Sequence, residues 1–222
     1  MLKYLTINTG SELICLLVAL VCVTRARQAH WRSMTAYMLL VCIAELAGIY
    51  VEYSIPGTYT RNEWIYNLLL IAQAGLINWM FNQLLKAYLP MSWIITSAGV
   101  LLLVLYGYEI LDHGIAYYNQ LTNTVMLVFI SLFSLLYYYF LIRDTRYVSL
   151  ARHADFWWVT GIFFFYFGTT ACNVFYHQLA PGANNMIKHL TYYIYNAFIF
   201  VLYGCWSYSF ICKKWEVRTL PA

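Results

Sequence analysis

The chain has 222 residues, of which 63% are hydrophobic, 19% aromatic and only 10% charged, with mean hydropathy +0.63 and formal net charge +4. A soluble domain carries about 25% charged residues, so this composition excludes a water-facing surface over most of the chain. It leaves no stretch for a soluble catalytic or nucleic-acid-binding domain, and residues 1–222 read as a single transmembrane domain.

A membrane-spanning helix needs about 20 apolar residues, and the apolar runs place seven spans at about 8–25, 34–53, 64–86, 92–111, 121–142, 156–177 and 187–211. The first run follows Lys3 as a signal peptide would, but Glu12 stands at its start and Arg25, Arg27 and Arg32 follow it, where cleavage needs small neutral residues. It is therefore read as a retained helix. The second span, MTAYMLLVCIAELAGIYVEY, carries Glu45 near its middle and Glu52 near its end, and stops at Pro56-Gly57. At 100° per residue, Met38, Val41, Cys42, Glu45, Ile49 and Glu52 form one stripe. A carboxyl group in hydrocarbon costs about 3 kcal/mol or more, so that stripe must face protein or water.

The third span is polar on two faces, Tyr66, Gln73 and Met80 on one and Asn67, Asn78 and Asn82 on another. It is expected at the centre of the bundle, with Asn78 and Asn82 tying one end shut. The fourth ends in polar residues (Glu109, Asp112, His113), and Asn123 opens the fifth. The sixth aligns Tyr166, Thr169, Thr170, Asn173 and His177; the seventh aligns His189, Tyr192, Tyr193, Asn196, Tyr203 and Ser207. The six cysteines lie in or beside apolar spans with no CxxC pair, as packing residues do.

Charge sets the expected orientation. Arg25, Arg27, Arg32, Arg143, Arg146, Arg152, Lys213, Lys214 and Arg218 share one side of a seven-span layout, against Lys3, Arg61 and Lys188 on the other. The positive-inside bias puts the N-terminus outside and the C-terminus in the cytoplasm. Glu45, Gln73, Asn173, His177 and Asn196 then line an outward cavity, while Arg143, Arg146, Lys213 and Lys214 face a cytoplasmic partner or anionic lipid.

Other chemistries lack their residues. A retinal pigment needs a lysine in the middle of the last helix, where Ala197 to Cys205 has none. The five histidines are scattered without an HxxxH pair, no nucleophile triad or phosphate loop stands out, and no metal, cofactor or enzymatic activity is expected. No internal repeat of the transporter kind is evident. The glutamate of helix two, the pairs Tyr66-Asn67 and Tyr195-Asn196 and the closing run YSFICKKW resemble small bacterial seven-helix integral membrane proteins. The resemblance implies an all-α bundle in the bacterial inner (plasma) membrane and assigns no activity.

The expected function is a receptor-like or sensory membrane subunit. It would bind a small cationic or hydrogen-bonding ligand and signal through a cytoplasmic protein partner. The alternatives are a small transporter or channel subunit coupling protons or cations through Glu45, and a membrane scaffold or regulatory subunit. The bilayer is a partner in each; nucleic acid is not.

Overall fold

The computed structural model describes residues 7–54, 62–86, 88, 92–144, 149–179 and 185–219, with the backbone alone for Ile7, 52–54, 173–179, 185–192 and 217–219. The described residues form seven α-helices, a short 3-10 turn and no strand. They are α1 (Ile7–Cys22), α2 (Ala29–Ser54), α3 (Glu63–Leu85), α4 (Ser92–His113), α5 (Gln120–Arg143), α6 (Ala154–Leu179) and α7 (Asn185–Thr219). Five stretches are long and apolar enough to cross a membrane: Ala29–Val51, Glu63–Leu85, Ser92–His113, Gln120–Arg143 and Tyr193–Glu216. The chain is an integral membrane protein. Its outer surface is apolar, with Leu17, Val21, Leu39, Ile43, Val104, Leu132 and Phe167 all exposed. Such a surface aggregates in water and is matched by lipid chains.

Helix ends depart from the hydropathy reading where packing outlasts the apolar run. α1 stops at Cys22 rather than near residue 25. α2 begins at Ala29 rather than 34 because Trp31 and Met34 are wholly buried. α7 continues past Ile211 to Thr219, carrying Phe210 and Cys212 into the core. Between α4 and α5 the chain turns at Gly114, whose φ of 77° is left-handed, and its N–H closes α4 on the Ile110 carbonyl at 2.9 Å.

The stripe inferred on α2 faces inward: Met38, Val41 and Cys42 are buried, while Leu39, Ile43, Leu46 and Tyr50 on the opposite faces are exposed. The helices form a closed ring, α1–α2–α3–α5–α6–α7 and back to α1, and α4 packs outside it against α3 and α5. This corrects the central place expected for α3. Its Trp64, Leu68 and Trp79 remain exposed on one face, so its polar residues serve two flanks, not an encircled core.

One end of the ring is filled by rings. Trp31 meets Phe210 edge-on at 6.3 Å, Phe81 meets Trp158 at 5.4 Å, and Trp158 stacks on Trp206 at 6.3 Å. All five are at most 2% exposed. Offset and edge-to-face pairs of this kind add about 1 kcal/mol each beyond the area they bury. The asparagine latch expected at this end is not formed by Asn82, whose Oδ1 is buried without a partner; Asn78 packs against Gly99 of α4. Aromatic packing closes the end instead.

Candidate functional site

At the other end of the ring, five helices bring polar groups to one cavity. α2 presents Glu45, whose Oε2 accepts a hydrogen bond from Tyr66 of α3 at 3.3 Å. Gly48, one turn further along α2, makes that reach possible: a Cβ there would lie 2.8 Å from the Tyr66 hydroxyl. Also on α3, Gln73 donates to the hydroxyl of Tyr166 on α6. From α1 comes Glu12, whose Oε1 accepts from Tyr203 of α7 at 3.1 Å. The two carboxyl side chains line the same cavity.

These residues enclose about 320 Å³, with Tyr37, Phe165, Tyr195 and Trp206 supplying most of the remaining wall. That is at the small end of ligand-binding pockets. A second cavity of about 230 Å³ lies on the far side of the Gln73–Tyr166 bond and adds Tyr118, Asn123 and Thr169. Tyr66, Leu69, Gln73, Phe165, Tyr166 and Tyr195 belong to both. One hydrogen bond and two apolar side chains thus divide a single space into two chambers.

The rim beside the second chamber is held by two buried polar clamps. Glu109 of α4 accepts from the Leu121 and Thr122 N–H groups at 2.8 Å each and from the Thr122 hydroxyl at 2.6 Å. It supplies the cap that Asn119, the residue preceding α5, does not make with its own side chain. Asn67 of α3 donates to the Ile115 and Tyr117 carbonyls and accepts from the Asn119 N–H, at 2.9, 2.7 and 3.0 Å. The loop bearing Tyr118 is therefore fixed from both sides.

Of the residues inferred to bind ligand, Glu45 and Gln73 line the cavity. Asn196 is half-buried and lines neither chamber. Ile199 and Tyr203, three and seven residues further along α7 and close to its own row, do line the first chamber, together with Tyr195, Leu202 and Trp206. Asn173 and His177 lie outside the residues whose side chains are described.

Of the residues assigned to a partner, Arg143 is exposed with its guanidinium 4.8 Å from the Tyr139 ring centre, and Arg146 lies outside the described residues. Lys214 is half-buried beside an open groove with Arg25. Lys213 is not an exposed contact. Helical continuation past Ile211 puts it on the face of Trp206 and Phe210. There it is buried, pairs with Glu216 at 2.8 Å and sits 5.3 Å from the Trp31 ring. Glu216 also accepts the Ala154 N–H at 3.1 Å, joining α7 to the start of α6.

Glu12 was not among the residues inferred to bind. Its signal was available: Glu12, Cys15, Leu16, Ala19 and Val23 share one helical face, and all are buried. Among the described residues no group of three or more His, Cys, Asp or Glu side chains converges in a metal-binding arrangement. No protein-family model, curated protein or solved structure matches the chain, so its own residues carry the functional reading.

Proposed function

We propose that the chain is a receptor-like protein of the plasma (bacterial inner) membrane, crossing it seven times and binding a small ligand in a cavity open to the outside. The observation that carries this reading is the polarity of the bundle. One end encloses a chamber lined by Glu12, Glu45, Gln73 and tyrosine rings, and the other is packed solid by Trp31, Phe81, Trp158 and Phe210. Charge supports the orientation: Arg25, Arg27, Arg32, Arg143, Arg152, Lys213 and Lys214 lie toward the aromatic-filled end, and Lys86 at the end of α3 joins them.

α7 is the natural carrier of a signal. Its 35 residues run from Tyr195 and Tyr203 at the cavity to the Lys213–Glu216 clasp on α6. A ligand shifts such a helix only by its different affinity for two positions of it. Beside the clasp, exposed Arg143 and half-buried Lys214 are the groups a cytoplasmic protein would meet.

A transporter is the second reading, favoured by the Glu12–Glu45 pair, since two carboxylates in one enclosed chamber can exchange a proton or cation. Thiol labelling separates the readings. Leu69→Cys, in a chain whose six cysteines are replaced by serine, is exposed to a membrane-impermeant maleimide in right-side-out and inverted vesicles. Labelling from the outside alone is expected. Labelling from both faces selects the transporter, and labelling from neither leaves a scaffold and ends the receptor reading.

A further inference from the structure

We infer that the first chamber takes a primary ammonium ligand, its nitrogen held by Glu12 and Asn8 of α1 and its body packed among aromatic rings. The inference rests on reading the chamber as a ligand site. Glu12 carries it. The side chain is only 7% exposed, Oε1 is engaged by Tyr203, and Oε2 is buried with no hydrogen-bond partner. One helical turn before it, Asn8 lines the same chamber with its Oδ1 in the same state.

Both unsatisfied atoms are acceptors, so the missing group is a donor. A buried acceptor left unmatched costs its full desolvation, and a charged one costs most. Water could donate O–H hydrogen bonds, but it would not neutralise a carboxylate. Glu45 stands in the same chamber, and among the described lining residues nothing is positively charged. A cation with N–H groups answers both demands.

The walls narrow the class further. Tyr37, Tyr203 and Trp206 line the chamber with Glu12, and the Tyr37 and Trp206 rings are 6.2 Å apart, Tyr203 and Trp206 6.1 Å. Aromatic rings attract a cation through their quadrupole and also accept an apolar body. A hydrated metal ion would gain little from such walls. A quaternary ammonium would fit the rings but leave Asn8 Oδ1 and Glu12 Oε2 without donors. A primary ammonium on a short apolar or aromatic body meets both acceptors and the rings, and leaves the buried Trp206 Nε1–H of the same lining without an acceptor.

The probe is 2-phenylethylammonium, compared with its N-trimethylated analogue and with 2-phenylethanol. Each is titrated calorimetrically into the full chain in lipid nanodiscs, with empty nanodiscs subtracted. The primary ammonium is expected to bind saturably and roughly 10-fold or more tighter than either analogue, the loss of one charge-assisted hydrogen bond. Glu12→Gln should remove that preference, whereas Asp112→Asn, remote and exposed, should retain it. Thermal unfolding of each variant confirms that it is folded.

Equal binding of the alcohol, or of the trimethylated ion, overturns the ammonium assignment while leaving the chamber a ligand site. Absence of all binding to a folded wild-type chain also overturns it. The maleimide result at Leu69 then tells whether the reading beneath it falls as well: a labelled but unresponsive chamber refutes only the ammonium, an unlabelled one refutes both.

Discussion

Replacing Glu109 by Gln should destabilise the protein by breaking the buried cap at the start of α5. The carboxylate accepts three hydrogen bonds, two from backbone N–H groups in the first turn of α5 and one from Thr122. An amide of the same shape keeps one acceptor oxygen and turns an NH2 toward donors. With its carbonyl oxygen where Oε2 stands, the amide keeps both Thr122 bonds and loses the one from the Leu121 N–H, along with the negative charge at a helix N-terminus. A hydrogen bond to a charged group contributes about 1.5–3 kcal/mol, and the helix-end charge about 0.3–1 kcal/mol. One charged bond and the helix-end charge together give an expected loss of about 3 kcal/mol.

For a chain of this size that lowers the melting temperature by about 6–12 °C, read from thermal unfolding of the purified protein in nanodiscs. Thr122→Val removes one bond and leaves the carboxylate intact, and should cost about 1 kcal/mol, or about 2–4 °C. A Glu109→Gln shift below about 2 °C, or one no larger than that of Thr122→Val, refutes the reasoning that this cap holds the loop.

Three other outcomes follow from close contacts and burial. Gly161→Ala would put a Cβ 2.9 Å from Cys205 Cβ and 3.1 Å from the Leu202 carbonyl, so α6 and α7 must separate; overpacking of this kind costs about 1–3 kcal/mol, and an unchanged melting temperature would contradict the close crossing. Gly48→Ala should push the Tyr66 hydroxyl off Glu45 at a cost of about 1 kcal/mol, and combining it with Tyr66→Phe should add little, because both remove the same bond; full additivity in unfolding measurements would sink that account. At the head of α6, burial holds the Asp155 carboxyl above the usual carboxylate range; Lys213 and His153 pull it down without cancelling the rise, and Glu216 adds to it. Tyr137 faces the same cluster. A carboxyl raised in this way stabilises the fold below its unfolded pKa of about 3.9 and loses that contribution as pH rises through its folded value. Asp155→Asn keeps the protonated shape, so its melting temperature should gain on the wild type from pH 4 to pH 8, and a constant difference would contradict the burial.

Much of the architecture is legible along the chain because a bilayer imposes simple demands. Length and hydropathy place the helices, and the 3.6-residue period decides which face of α2 turns inward, since Glu45 cannot meet lipid where Leu39 and Ile43 do. The same period, applied to α1, would have drawn Glu12 into the site. The identity of a partner across the bundle is another matter. Glu12 and Tyr203 are 191 positions apart, and Gln73 and Tyr166 are 93; nothing local distinguishes Tyr203 from the other 21 tyrosines. Asn67 and Glu109 look as ready for a ligand as Gln73 does, yet they hold a loop, because the chain reverses beside them and brings unpaired N–H and C=O groups within reach. Lys213 looks like a solvated tail residue until α7 continues as a helix and turns it onto Trp31. One helix period determines which side of each segment is inside. Only the ring of six helices decides what that side meets, since that depends on rotations and depths that distant segments set for one another.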